Sequence, residues 1–551
     1  MKLSTLRAQS LSAPVLFNLA PVLLSLTRVL LNLTRALLNL TRVLLGPTLI
    51  LLCLASCAVG PDFKTPAAPH TNTYTTQPLP NETAATAVAG GTAQTFAIGK
   101  ELPTQWWTLF GSNKLDALVA QAFANSPTTA SARAALRQAQ ENLNAQRGAF
   151  FPSADAKGSA QRQRINSSAF GVDPNSSSGS SSVFNLYNAS VSVAYTLDIF
   201  GGVRRSVEAQ AAAAEAQRYE LQATYLTLAA NVVTSSVSLA SLRDQIAATH
   251  DIVAAQEKQL NIAETRHRLG AAAYADVLSA QSNLAAVRAT LPALEKQLAA
   301  VQNQLAVYLG KLPSEFAGND FDLTELQLPH EIPLSVPAQL VRQRPDVRAA
   351  EARLHQASAL IGVATANLLP QVSISGNFGS QATASAQLFK DSIWSIGADV
   401  TQPLFHGGEL TAKRRAAIAA YDQAAADYRL ASLTAYKNVA DALTALQSDA
   451  QGLQAQYAAM SSAKEGLSLV ERQYALGSVS YLNLLIAQRQ YQQSRIDYSQ
   501  ALASRYQDTA ALFQALGGNW DDAALAATAN AHQANTSTVS SPASNTAENN
   551  P

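Results

Sequence analysis

One run of 67 residues, 203–269, contains neither glycine nor proline. Nothing in it breaks a helix, so it reads as a single helix about 100 Å long at ~1.5 Å per residue. A small domain is only about 30 Å across, so a compact globule is excluded. The chain turns at Gly270 and reads as a returning helix over 272–309. A second outward run spans 409–476, tolerates Gly452 and Gly466, turns at Gly477 and returns to residue 516.

The two outward runs belong to an internal duplication. "SPTTASARAALRQAQENLNAQRGAFFPSADAKGSAQ" (126–161) aligns without gaps to "RPDVRAAEARLHQASALIGVATANLLPQVSISGNFG" (344–379), setting Pro127 on Pro345 and Pro152 on Pro370. "TLDIFGGVRRS" (196–206) matches "TQPLFHGGELTA" (401–412), and "RLGAAAYADVLSAQ" (268–281) matches "ALGSVSYLNLLIAQ" (475–488). Leu309-Gly310 then meets Leu516-Gly517, so the core is a tandem repeat. Each repeat opens with a helix of 22 residues (128–149 in the first) that stops before a proline. Two segments of period-two alternation follow, read as strands near 152–164 and 187–199, then near 371–387 and 393–405. The first pair is joined by the polar stretch "FGVDPNSSSGSSS". A return helix of 38 residues is too short to flank a 67-residue partner; the 22-residue helix stacked on its end makes up the difference.

The stretch "LTRVLLNLTRALLNLTRVLLGPTLILLCLASCAVGPDF" (26–63) looks at first like a leucine zipper followed by a membrane span. Its heptads carry four or five apolar residues and a lone Arg (Arg28, Arg35, Arg42) with no acid to pair it, which is not a zipper seam. The 17 uncharged residues of 43–59 fall short of the ~20 a spanning helix needs and are interrupted by Gly46 and Pro47. Basic residues, a short apolar core and small residues before a cut site make a secretory leader. Leu54-Ala55-Ser56-Cys57 resembles a bacterial lipobox, so residues 1–56 read as a lipoprotein-type signal peptide, longer than usual, and Cys57 as the lipidated N-terminus. Only Cys57 would remain after the cut, which rules out a disulfide framework. A net charge of +1 gives no reason to expect a polyanionic partner. Charged residues are only 14% of the chain, as suits helices packed on several sides.

Four two-faced strands in an exported lipoprotein cannot close a barrel alone. A membrane sheet must leave no free edge, and bacterial barrels begin at about eight strands. Several chains must therefore contribute to one barrel, with the helices extending together on the periplasmic side.

At this point the residues are similar to those of a known family. "CAVGPDFKTP" (57–66), "WWTLFGSNKLDALVAQAFANSP" (106–127), "LDIFGGVRRSVEAQ" (197–210) and the two turn motifs resemble the outer-membrane factor family of TolC-like channels, in its OprM- and NodT-like lipoprotein branch. The resemblance runs from Cys57 to Trp520. It implies a mainly α chain with a membrane β-barrel part: a homotrimer in which four strands per chain build one 12-stranded barrel, continued by a periplasmic α-helical tunnel. It implies a passive exit duct for drugs or other small molecules in a tripartite efflux system. The partners are a periplasmic membrane-fusion (adaptor) protein and an inner-membrane transporter of the resistance-nodulation-division class. The place is the outer membrane, lipid-anchored, and Ala58 rather than Asp after the acylated cysteine agrees with that sorting.

The same resemblance assigns positions. Arg266, Leu269, Gly270, Leu476 and Gly477 form the periplasmic tips that meet the adaptor, against the competing reading of plain helix–helix turns. Tyr481, Leu482, Asn483, Ile486 and Arg489 line the aperture. Family members often place carboxylates there; here Asn483 and Ile486 occupy the matching positions and Asp276 is the acid near the first tip. That departure points to an apolar constriction at Leu482 and Ile486, gating by dewetting, with Arg489 bonding across the bundle. The expected division is 57–105 as a lipidated extended segment, 106–312 and 344–520 as the two repeats, 313–343 as a linker about the tunnel's middle, and 521–551 as a disordered tail.

No catalytic group stands out. The seven histidines (70, 250, 267, 330, 355, 406, 532) lack zinc-ligand spacing, and neither a P-loop nor a Gly-x-Ser-x-Gly motif is present. No enzyme, cofactor or metal is expected. The rival reading is a lipid-anchored trimeric coiled-coil adhesin, which the paired strands and the duplication oppose.

Overall fold

The computed structural model describes residues 58–68, 71, 73–165, 182–316, 318, 321–518 and 520. The expected leader, the expected lipidation site at Cys57 and the expected tail after residue 520 lie outside the described residues. The described residues divide into two units, one holding residues 58–61 with those of Ala149–Ser206 and Gly362–Arg414, the other the rest.

The first unit is a sheet. β2 (Ser153–Ile165), β3 (Ser182–Leu197), β5 (Gln371–Ala382) and β6 (Ile393–Thr401) lie in the order β2-β3-β5-β6, every neighbour antiparallel; β1 (Thr95–Ile98) and β4 (Glu331–Leu334) belong to the other unit. β5 and β6 end earlier than the alternation suggested. Pro403 cannot donate to a ladder, and Leu404 and Phe405 beyond it are exposed. Side chains alternate between faces along a strand, so the register sorts them. Ala156, Val191, Phe378 and Trp394 form one cross-strand row, Ala154, Val193, Gly376 and Ile396 the next, and Leu197, Val372 and Val400 a third. The intervening row is Asp155, Ser192, Asn377 and Ser395. One face is thus apolar and the other polar, and most of the apolar side chains are exposed.

β3 passes into α3 (Gly202–Arg268), whose N-terminus is capped by Asp198: its carboxylate accepts from the Val203 and Arg204 amides at 2.8 and 2.9 Å. A carboxylate here satisfies two orphan donors and complements the helix dipole. The segment entering the fold is pinned to the same junction. The Val59 amide donates to the Phe200 carbonyl at 3.1 Å, and the Arg205 Nε to the Val59 carbonyl at 3.2 Å.

The second unit is helical. α1 (Asn113–Asn125) and α2 (Pro127–Arg147) precede the first two strands. α3 turns into α4 (Tyr274–Arg288) and α5 (Leu291–Tyr308); after α6 (Pro337–Gln343) and α7 (Pro345–Ala366), α8 (Glu409–Ala475) turns into α9 (Tyr481–Leu516). α3 and α8 are each 67 residues long. A stretch of α3 is apolar enough by composition to cross a membrane, but two-thirds of it is buried within the chain. The first return helix is divided, not continuous as the sequence suggested. Pro292 lacks an amide and its ring is tolerated only in a helix's first turn, so a new helix begins at Leu291.

The shorter helices do meet end to end. A Cβ placed on Gly310, just past α5, would lie 2.3 Å from the Asn125 carbonyl oxygen at the head of α2; one on Gly517, just past α9, would lie 3.0 Å from Arg344 Cγ at the head of α7. There the Arg344 Nη1 also donates to the Ala515 carbonyl at 2.6 Å. Around these joints Trp106, Trp107, Phe110, Phe123, Tyr506 and Phe513 form a buried aromatic core, with Trp106 to Phe513 centroids 5.7 Å apart and Phe123 to Tyr225 4.9 Å apart. β1 (Thr95–Ile98) and β4 (Glu331–Leu334) pair in parallel beside it.

Two predictions follow from this packing. Gly310 has φ +68 as well as the tight contact. Gly310→Ala should cost about 1–3 kcal/mol from backbone strain alone, read as a lower thermal midpoint; an unchanged midpoint would mean that the joint relaxes freely. On the α8–α9 seam, burial and then hydrogen bonding to Asp508 push the Asp449 carboxyl up to about 7, with Arg505 opposing. An acid whose folded value lies above its unfolded 3.8 favours folding while protonated, so stability should fall as pH rises from 3.8 to about 7. Asp449→Asn should flatten that part of a thermal-midpoint profile, and an unaltered slope would assign it to other groups.

Candidate functional site at the paired helix tips

The two turns have the same backbone. In the first, the Gly270 amide donates to the His267 carbonyl at 2.9 Å and the Ala271 amide to the Arg266 carbonyl at 2.8 Å. In the second, Gly477 donates to Tyr474 at 3.0 Å and Ser478 to Gln473 at 2.9 Å. This is the Schellman cap, which closes a helix through a left-handed residue; φ is +75 at Gly270 and +73 at Gly477. A Cβ on either would meet nothing within 4 Å, so glycine is required for the backbone and not for space.

Aromatic pairs brace both turns at positions matched by the duplication. His267 and Tyr274 have ring centroids 5.4 Å apart, Tyr474 and Tyr481 5.7 Å apart. Their surroundings differ: Tyr274 is 57% exposed and Tyr481 is 7% exposed. Tyr481 packs with Ala263, Val277, Ala280, Leu484 and Leu485 in a small core shared by both hairpins. Burial, then Tyr474 and Asp276, push its hydroxyl up to about 12, so it stays neutral.

Two arginines tie the hairpins together. The Arg266 guanidinium lies 4.6 Å from the Tyr474 ring centroid, and the Arg489 Nε donates to Asn283 Oδ1 at 3.1 Å. Leu269 and Leu476 stand out at 76% and 84% exposed. Leu482 and Ile486, one helical turn apart, are also exposed. Asn483 and Ile486 line a groove of about 660 Å³ between α8 and α9, opposite Ala459, Ala463 and Gly466. Of the ten sequence-assigned tip and aperture residues, then, Leu269, Leu476, Leu482, Asn483 and Ile486 present surface. Arg266 and Arg489 serve as cross-hairpin ties, the glycines shape the turns, and Tyr481 belongs to the core.

The family model described as "Outer membrane efflux protein" matches residues 118–311 and 336–518, both repeats and most of the chain. The chain belongs to the outer membrane efflux protein family. A curated relative, the pyoverdine export outer membrane protein OpmQ of Pseudomonas putida, is 30% identical over 433 residues, covering 78% of this chain and 92% of the relative. Among solved structures, the outer-membrane channel OprN superposes with a TM-score of 0.72 at 26% identity, covering 84% of this chain and all of that one. The Campylobacter jejuni CmeC outer membrane channel superposes with a TM-score of 0.75 over 87% of this chain and 98% of its own; at 20% identity it speaks for the fold alone. The fold is TolC-like and the chain is an outer-membrane efflux channel.

Tyr474 and Asn283 are the tip residues that sequence reasoning missed. The signal for Tyr474 was present: it falls on His267 in the repeat alignment, one turn before matched tyrosines. Arg266→Ala should remove a cation–π contact of about 0.5–2 kcal/mol and speed amide exchange severalfold at both turns, 269–273 and 476–480. Faster exchange at the first turn alone would show that the arginine does not couple the hairpins.

Proposed function

We propose that the protein is the passive exit duct of a tripartite efflux system and acts as a homotrimer. The supporting observation is the four-stranded amphipathic sheet whose outer strands, β2 and β6, have no second neighbour among the described residues. An unpaired edge inside a bilayer leaves backbone groups unsatisfied at several kcal/mol each. Pairing β2 of one chain with β6 of the next removes every edge, and three copies give 12 strands. The two repeats, 106–312 and 344–520, each supply two strands and one helical hairpin, and the segment 313–343 links them.

In this reading Arg266, Leu269, Gly270, Leu476 and Gly477 form the end that receives a periplasmic adaptor protein. Leu269 and Leu476 are the apolar contacts, while Arg266 and the glycines hold the turns in place. Tyr481, Leu482, Asn483, Ile486 and Arg489 belong to the aperture: Leu482 and Ile486 as the constriction, Tyr481 and Arg489 as its supports. An inner-membrane transporter of the resistance-nodulation-division class supplies the energy, and the cargo is drugs or other small molecules. Curated relatives are named for export of pyoverdine, toluene and solvents, a spread that fits selection by the pump. Cys57 is the proposed lipid anchor, and the position of Ala58 supports it: the residue after the cysteine lies beside Gly201 at the strand–helix junction, where a barrel meets the periplasmic leaflet.

Planar-bilayer recording of the purified chain tests the reading. Wild type should open channels of low conductance, and Leu482→Ser with Ile486→Ser should raise that conductance several-fold by wetting the constriction. Absence of any conductance would overturn the duct, and equal conductance in both proteins would overturn the apolar gate. Cysteines placed on β2 and β6 should cross-link into a trimer and no further.

A further inference from the structure

The apolar face of the sheet is not an even surface. It carries a groove of about 480 Å³ lined by Ala156 and Gly158 on β2, Ala189 and Val191 on β3, Phe378 on β5, and Phe389 from the β5–β6 connection. The register puts six of the nine lining strand residues on the apolar side: Ala156, Val191 and Phe378 share one row, and Gly158, Ala189 and Ser380 the next, with Lys157, Ser190 and Gly379 on the row between. Small residues make the floor and two phenylalanines the walls.

The Phe389 wall is held in place against a backbone preference. Its φ of +76 is the sole positive value at a non-glycine among the described residues. Such a conformation costs about 1–3 kcal/mol and persists where surroundings enforce it, often at functional sites. Here the Phe389 amide donates to the hydroxyl of buried Ser380 at 3.0 Å, while the ring remains exposed. The strand connection is thereby folded onto the membrane face.

Charge lies beyond one end of the groove, about 13 Å from Gly158 along β2 at ~3.3 Å per residue. On β2 the apolar side continues from Gly158 through Ala160 to Arg162 and Arg164, both exposed. From Ala156 to Arg162 is six residues, about 20 Å at ~3.3 Å each, the reach of a fatty acyl chain. Asp391 lies on the far wall beside Phe389, across the sheet from the arginines. The basic pair stands at the end of the strands remote from the Asp198 junction, which is the outer-leaflet end in the proposed orientation.

We propose that the groove binds one acyl chain of a phosphorylated outer-leaflet lipid, with Arg162 and Arg164 taking its phosphate. Guanidinium groups match phosphate geometry through paired hydrogen bonds. The proposal rests on the apolar face being the bilayer face. It goes beyond the duct by assigning a specific lipid site to a surface otherwise wetted by any lipid.

Native mass spectrometry of the purified full chain tests it, after incubation with bisphosphorylated lipid A, the same lipid dephosphorylated, or phosphatidylcholine. Wild type should retain the phosphorylated form about tenfold over the dephosphorylated one, as expected for two cations at a membrane surface. Arg162→Gln with Arg164→Gln should reduce that preference to parity. A Cβ on Gly158 meets nothing within 4 Å, so Gly158→Leu fills the groove without disturbing the backbone and should lower retention of both lipid A forms severalfold. Ala156→Leu is the second filler should the first fail to assemble. Equal retention of all three lipids by wild type, wild-type retention by a filled groove, or a preference that survives loss of the arginines would overturn the proposal. Conductance in planar bilayers, retained by the same variants, separates failure of the lipid site from failure of the duct.

Discussion

A strand edge inside a bilayer has no water to bond with, and among the described residues the sheet has two open edges, β2 and β6. The rest of the architecture follows from that unsatisfied backbone. The apolar face suits the sheet to lipid, and in the proposed reading its edges are met by copies of the same chain. The strands are continuous in sequence with the long helices, so helical hairpins must accompany every copy. Asp198 sits where these two regimes meet, ending a ladder of inter-strand bonds and supplying the first acceptors of a helix 67 residues long. Substituting the polar for the apolar row would leave the same strands without a solvent for either face.

Much of this was legible in the sequence because the signals are long or repeated. A run without glycine or proline gives a helix almost by elimination, and α3 falls within a residue of the expected 203–269. The alternation in "NASVSVAYTLDI" and "QVSISGNFG" set the sheet faces. What escaped was single-residue detail and long-range packing. The division of the return helix hinges on Pro292, and the exposed Phe389 depends on a single hydroxyl, that of Ser380. The aromatic core around Trp106 is assembled from segments over 400 residues apart, Trp106 with Phe513, which no local pattern reveals.

The candidate tips show the same division between frame and detail. Their backbone was readable from two matched glycines and leucines. Their side-chain roles were not, because an arginine at a turn looks alike whether it faces a partner or lies over a tyrosine of the neighbouring hairpin. Arg266 does the latter, and Arg489 likewise spends its guanidinium on Asn283. Tyr274 and Tyr481 are matched in sequence yet one is exposed and the other buried, so duplication conserved the fold of the turn while the surfaces diverged.

The end-to-end joints have a mechanical consequence. An unbroken helix such as α3 or α8 carries tension and compression alike through its hydrogen-bond ladder. A butt joint carries compression through steric contact and resists extension only where something bridges it. At Gly310 the contact is with the Asn125 carbonyl, a stop against shortening. At Gly517 the Arg344 side chain also bonds the Ala515 carbonyl, a latch against lengthening. The second joint is therefore both a strut and a tie.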